Sequence, residues 1–283
     1  GKLYGMEKTD EIGQKVKNSF FANMVVGVIF SLALIILYFN LHRIGQPEEL
    51  LALIRPYFIV NLVSVLFVGV FNTLKQFLDG IGNTKVAMWV MIMGNIVNIF
   101  GNWVLIYGVG PCPEMGLLGA GISTLASRVL MAVAMVGIIA GTKEYREYRN
   151  NIIASRINGA DFREMNRLGW PVALQLALES GAFTLSCVMV GWLGTIPLAA
   201  HQVMITISQL FYLVLSGMAA ALAIRVSHFV GQNDFAAVRR NAYDGWRLNL
   251  LFSLCMGIPV LLLRHQIGGW FNDNVEVQQY VAL

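Results

Sequence analysis

One carboxylate stands where a carboxylate is expensive. Glu179 lies near the middle of the run Leu168–Leu193, which is otherwise free of charge. At about 1.5 Å of helix per residue it falls close to the centre of a hydrocarbon slab about 30 Å thick. An ionised carboxylate at that depth costs at least about 2.5 kcal/mol on insertion scales, so it is expected to face a bundle interior or a wet cavity and to bind a proton or cation. Gln175 and Phe183 lie four residues to either side and Ser186 seven beyond, which puts a polar stripe with an aromatic in it on one helical face. The alternative is an acid that only pins two helices together, although Ser, Thr, Asn and Gln are the usual residues for that task.

Other polar residues recur at helical spacing. Asn95, Asn98 and Asn102 follow each other three and four apart in an apolar run, so their amides are expected to share an inward face. They could serve an ion or simply hydrogen-bond a neighbouring helix. Thr124 and Arg128 are four apart in the next run; Arg128, too deep to face lipid, either pairs across a central cavity or snorkels to the cytoplasmic side. Gln202, Thr206 and Gln209 share a face further on. His201 has no second histidine at helical spacing, so a core or interfacial histidine is expected there rather than a metal ligand.

The elements that must hold these residues follow from composition. With 57% hydrophobic and 13% charged residues and a mean hydropathy of +0.63, the chain is far more apolar than a soluble domain. Seven runs are apolar enough to span a membrane: Ser19–Phe39, Tyr57–Leu74, Val86–Val109, Met115–Ala140, Leu168–Leu193, Leu198–Ile224 and Leu248–Leu263. Trp246 and Trp270 bracket the last as interface anchors. An all-α polytopic bundle is the expected fold class. The basic pI of 9.0 does not indicate nucleic acid, because lysine and arginine alternate with the spans. The segments 1–18, 75–85, 141–167 and 225–247 hold sixteen of them and the opposite segments three, which assigns the first group to the cytoplasm. Cys112, Cys187 and Cys255 are isolated, with no disulfide or zinc spacing, and are expected to be small apolar fillers.

Residues 1–18 form a cytoplasmic lead-in, and the chain opens without an initiator methionine, as a fragment would. HRIGQPEEL is an outside loop; Pro56 is expected in the first turn of the second span, as Pro197 is in the sixth. Asp79-Gly80 and Gly82-Asn83 predict a tight cytoplasmic turn, and Gly119, Ala120, Gly121, Ser123 and Ala126 predict close helix contact. The polar stretch 141–167 divides the chain into 1–140 and 168–283; Asp161 and Glu164 resemble a capping box, with a bend expected near Trp170-Pro171. A weak repeat at an offset of 223 pairs Lys17-Asn18 with Arg240-Asn241, Ile44-Gly45 with Ile267-Gly268 and Tyr57 with Tyr280.

Four stretches carry a resemblance: LDGIGNTK at 78–85, LGAGISTLASR at 118–128, LGWPVALQLALES at 168–180, and AAHQVMITISQLFYLVLSGMAAALAIRVSHFVGQND at 199–234. They resemble the multidrug and toxic compound extrusion (MATE) family across essentially the whole chain. The resemblance implies helices three to nine and the start of ten of a twelve-helix, two-lobe transporter: 1–140 in the N-lobe, 141–167 as cytoplasmic linker and 168–283 in the C-lobe. It implies a monomeric, multi-pass protein of the bacterial cytoplasmic membrane that exports organic cations and other amphiphiles in exchange for Na+ or H+. No cofactor or nucleic acid is implied, and the partners are a small cationic or amphiphilic substrate and membrane lipid. By position, Glu179 matches the carboxylate that binds the coupling cation, with Gln175 beside it. Asn98, Asn102 and Thr124 match an N-lobe cation site, in which archaeal members have an aspartate at the place of Asn102. Phe183, Gln202 and Arg128 would line the cavity. Two other readings are a lipid-intermediate flippase of the same superfold and an intramembrane enzyme using Glu179 and His201; no nucleophile elbow or nucleotide loop supports the enzyme, and no GxxxxGK[ST] supports a primary pump.

Overall fold

Within a bilayer every backbone N–H and C=O must find its partner inside the protein, and a single chain does this most directly as helix. A computed structural model describes residues 1–40, 48–110, 113–271 and 274–282, and it is 90% helical with no strand among them. The helices run α1 Lys2–Gly5, α2 Thr9–Phe39, α3 Glu48–Gly80, α4 Thr84–Tyr107, α5 Gly116–Gly141, α6 Arg146–Ala154, α7 Gly159–Gly191, α8 Thr195–Gly231, α9 Phe235–Leu262, α10 Arg264–Phe271 and α11 Val275–Ala282. Seven of them, α2 to α5 and α7 to α9, are long and apolar enough to cross a membrane, one for each expected span. The chain is an integral membrane protein.

The helices outrun the apolar segments. α2 begins at Thr9 and α9 at Phe235, ten and thirteen residues before the corresponding spans, because lysine, glutamine and arginine continue a helix in water as well as leucine does in lipid. Asp234 caps α9, its carboxylate accepting from the Ala237 amide at 2.9 Å. α3 starts at Glu48, so Pro56 lies inside that helix and not in its first turn as expected; Pro171 and Pro259 are likewise internal, and none interrupts its helix. Pro197 does sit in the first turn of α8. The turn between α3 and α4 closes as its residues require: the Gly82 amide donates to Asp79 O at 3.1 Å and the Asn83 amide to Leu78 O at 2.9 Å, with Gly82 at φ 83°. The loop expected at HRIGQPEEL, the Ile44-Gly45 part of the repeat and Cys112 lie wholly or largely outside the described residues.

The described chain forms two compact units, Gly1–Arg163 and Glu164–Leu283, with the boundary inside α7. In the first, α5 packs along both α3 and α4, and α2 packs along α3 and α6. Leu78, Met135 and Tyr145 are fully buried at its core with Phe71, Phe77 and Ala87. Small residues set the α4–α5 spacing: a Cβ on Gly119 would lie 2.5 Å from Leu105 O, and one on Gly101 2.5 Å from Ser123 Oγ. Ala126, expected in this contact, faces outward. In the second unit α8 packs with α9, and α10 and α11 fold back on α8 around Ala200, Val203, Ile267, Val277 and Val281.

Residues 141–167 are more ordered than a simple linker. A 3-10 turn at Lys143–Tyr145 leads into α6, and α7 starts at Gly159, where the Asn158 side chain accepts from the Ala160 amide at 3.0 Å; the helix begins two residues before the Asp161 start expected from the capping box. The Asp161 carboxylate instead gathers α2: Lys15 Nζ donates to Oδ1 at 2.7 Å, and Gln14 Nε2 and Asn18 Nδ2 donate to Oδ2 at 2.7 and 3.0 Å. Asn18, with no exposed surface, returns its own Oδ1 to the Asn158 amide at 3.0 Å. Tyr145 is buried, and Asn83 Nδ2 donates to its hydroxyl at 2.6 Å, tying the α3–α4 turn to the 3-10 turn. Burial, reinforced by the Glu144 carboxylate, pushes the Tyr145 phenol above its ordinary range, with the Asn83 bond opposing.

Candidate functional site

The polar residues of α4 and α5 meet in the contact that Gly101 and Gly119 keep close. Asn102 Nδ2 donates to Asn98 Oδ1 at 3.2 Å, and Asn98 Nδ2 donates to Thr124 Oγ1 at 3.3 Å. Thr124 turns its own proton to Ala120 O at 2.9 Å, and Ser123 Oγ donates to Asn98 O at 2.8 Å. Each amide nitrogen spends one of its two N–H groups here, and one oxygen is left over. Asn102 Oδ1 is buried with no hydrogen-bond partner, which leaves a desolvated acceptor beside two more oxygens, Asn98 Oδ1 and Thr124 Oγ1. A neutral group of oxygens with one lone acceptor is suited to a small hard cation or a protonated donor. Asn95, expected to share the inward face, is exposed; only Asn98 and Asn102 are drawn in, because α5 covers the part of α4 they occupy.

Arg128 lies one turn along α5 from Thr124, half-buried, and its Nη1 donates to Ser64 Oγ on α3. Ser64, fully buried, passes its proton to Asn61 O at 2.6 Å, and Asn61 Nδ2 donates to Tyr57 O at 3.0 Å. Among the described residues no carboxylate pairs with Arg128, so its charge is held by neutral oxygens. A neighbouring helix of its own unit receives the side chain.

On α7, Glu179 and Ser186 are half-buried, while Gln175 and Phe183 are exposed. Among the described residues no helix lies along α7 and no side chain bonds or pairs with Glu179. The apolar residues around it are also open: Leu176 is 51% exposed, Leu178 66% and Phe183 54%. On α8, Gln202, Thr206 and Gln209 share an exposed face, and Thr206 Oγ1 donates to Gln202 O at 2.8 Å. His201 is turned the other way, half-buried, with Nε2 buried and unpartnered. Among the described residues no group of three His, Cys, Asp or Glu side chains is placed to hold a metal ion.

A family model described as MatE matches residues 1–104 and 171–282, well over half of the chain. The chain belongs to the MatE family. Two curated MatE relatives align along nearly all of it: a probable multidrug resistance protein NorM of Photorhabdus laumondii, 30% identical over 93% of the chain, and a multidrug resistance protein NorM of Photobacterium profundum, 27% identical over 98%. The chain spans 58% and 60% of their lengths. Among solved structures, the eukaryotic MATE transporter AtDTX14 superposes with a TM-score of 0.83 at 19% identity, over 100% of this chain and 62% of its own. A MATE structure in complex with MaD3S gives a TM-score of 0.87 at 18% identity, over 99% and 62%. These two share the fold.

The MatE chain contains functional-type residues that hydropathy reading passed over. Asn61 and Ser64, three apart on one face of an otherwise apolar run, carried the same signal as the asparagines of α4, and Ser64 turns out to receive Arg128. Ser123, expected in the close helix contact but not as a hydrogen-bond donor, and Ser127 are buried on α5, bonding Asn98 O and Thr124 O at 2.8 and 2.9 Å; the only trace of that role in the sequence is small size within a glycine-rich stretch. The contact of Asn18 with Asp161 had no local trace at all, the two being 143 residues apart.

Proposed function

We propose that the protein to which this MatE chain belongs is a cation-coupled antiporter that exports organic cations and other amphiphiles across a bacterial cytoplasmic membrane. Residues 1–140 contribute to one lobe, 168–283 to the other, and 141–167 join them on the cytoplasmic side; the protein works as a monomer. The observation that carries this reading is Glu179, the one acidic side chain in the apolar core of seven spans, on a helix otherwise neutral from Leu168 to Leu193. A carboxylate at that depth alternates between states of low charge, protonated or bound to a cation, and so links an ion gradient to whatever competes for it. Gln175 adds an amide oxygen and Phe183 an aromatic face, the surfaces an organic cation uses. Asn98, Asn102 and Thr124, with their spare acceptor at Asn102 Oδ1, form a second polar site for Na+ or H+ in the other lobe, and Arg128 in the first lobe and Gln202 in the second are further polar candidates for substrate contact. The curated relatives are named as multidrug resistance proteins, which favours efflux over flipping of a lipid intermediate or intramembrane catalysis.

The test is Glu179→Gln in the complete protein. The amide keeps the shape but holds no charge to exchange, so extrusion of a cationic dye from cells is expected to fall to the level of cells without the protein, at unchanged membrane abundance. Normal extrusion at normal abundance would overturn the assignment.

A further inference from the structure

A further binding feature lies away from Glu179 and from the asparagine cluster of α4. Between α2, α3, α5 and α6 the first unit opens a cleft of about 590 Å³, within the range of small-molecule sites. Its walls are apolar, with Phe20 on α2, Val70 and Leu74 on α3 and Val136 on α5, and among the described residues its only charged side chains are Lys17 and Arg149. Both cations are held by neutral oxygens. Lys17 Nζ donates to Ile153 O at 3.2 Å and Ser155 O at 2.6 Å, and Arg149 Nη1 donates to Ala140 O.

The nearby carboxylates are engaged elsewhere: Asp161 takes Lys15, and Glu147 Oε1 accepts from Thr9 Oγ1 at 2.7 Å. Neither Lys17 nor Arg149 has an ion-pair partner among the described residues. A lysine has three N–H donors and an arginine five, so both keep donors free and a charge uncompensated. Two unpaired cations on the rim of an apolar cleft describe the complement of one kind of molecule: a long apolar chain ending in an anion.

We propose that this cleft holds an anionic phospholipid of the cytoplasmic leaflet, one acyl chain lying along Phe20, Val70, Leu74 and Val136 and the phosphate meeting Lys17 and Arg149. The side of the membrane rests on the inside-positive orientation assigned from the sequence; the binding does not rest on the transport reading, since neither Glu179 nor the asparagine cluster takes part. Anionic headgroups are attracted to basic side chains at the inner surface, and two of them together are worth about thirtyfold in affinity.

The experiment is native mass spectrometry of the full-length protein, titrated with phosphatidylglycerol or phosphatidylcholine in detergent. Phosphatidylglycerol is expected to be retained about thirtyfold better. The double variant Lys17→Gln, Arg149→Gln, which keeps hydrogen-bond donors but no charge, is expected to lose the preference, and Lys17→Arg with Arg149→Lys to keep it. Val136→Trp, which fills the cleft, is expected to lower retention of both lipids. Equal retention of the two lipids by the unmodified protein, an undiminished preference in the neutral variant, or unchanged retention in Val136→Trp would each overturn the proposal. Should the neutral variant fail to fold, the unmodified protein and Val136→Trp decide the question alone.

Discussion

Asp161→Ala takes away the acceptor on which three side chains of α2 converge, and the structure fixes how much each loss costs. Asn18 is completely buried, so its Nδ2 is left without a partner and without water; that costs about 1 to 2 kcal/mol. The Lys15 pair is only partly buried, with 34% of the Lys15 and 15% of the Asp161 side chain exposed, and screening holds its loss to about 1 kcal/mol. Gln14 is half-buried and can turn to solvent, so its bond adds little. The total is about 2 to 3 kcal/mol, a factor of roughly 30 to 150 in the opening of residues 150–163 away from α2. Arg156 and Arg163 make that opening measurable: in the purified full-length protein, tryptic cleavage at these residues should accelerate by that factor where closing outpaces cleavage. A double-mutant cycle with Lys15→Met should return a coupling of about 1 kcal/mol for the pair alone. Cleavage within about twofold of the unmodified protein, with no measurable coupling, would show that residues 150–163 are held to α2 by apolar contact and not by Asp161.

Two further substitutions test the packing. Gly119→Ala would put a Cβ against the backbone carbonyl of Leu105, so it should destabilise the full-length protein by about 1 to 3 kcal/mol, whereas Gly137→Ala on the same helix meets nothing within 4 Å and should be neutral or stabilising; equal thermal midpoints for the two would refute the α4–α5 spacing. Tyr145→Phe removes the acceptor of Asn83 Nδ2 and should cost about 1 kcal/mol in thermal or denaturant unfolding. With burial raising the Tyr145 phenol above its ordinary value of 10.0, its stabilising share is complete below pH 10 and is lost as pH climbs toward the folded-state value. Alkaline destabilisation beginning near pH 10 should therefore be weaker in Tyr145→Phe, and an identical alkaline limb in both would contradict the burial argument.

What the sequence revealed, it revealed through solvent. Seven apolar runs each became a helix because lipid leaves a backbone no other way to satisfy its hydrogen bonds, and a carboxylate amid twenty-five neutral neighbours from Leu168 to Leu193 is conspicuous for the same reason. The polar ends of the helices were less legible, since lysine and glutamine suit a helix in water and a loop equally; Pro56 was placed at a helix start and lies inside one. Asn95, Asn98 and Asn102 share a helical spacing but not an environment, because periodicity gives the face while burial depends on where α5 runs. The Asn18–Asp161 and Asn83–Tyr145 bonds join residues far apart in the chain, and no local pattern announces a partner.

The central claim is that Glu179 holds either the coupling ion or the exported cation, never both at full strength. Binding of a fluorescent organic cation to the purified full-length protein, titrated over Na+ concentration and over pH, measures it directly. Because linkage is reciprocal, each ligand must weaken the other by the same factor, and typical couplings amount to about 5- to 150-fold. The account predicts that affinity falls as Na+ rises, or as pH falls if the proton is the coupling ion, and that Glu179→Gln flattens the dependence. Affinity indifferent to both ions in the unmodified protein would contradict it and leave Glu179 a structural anchor.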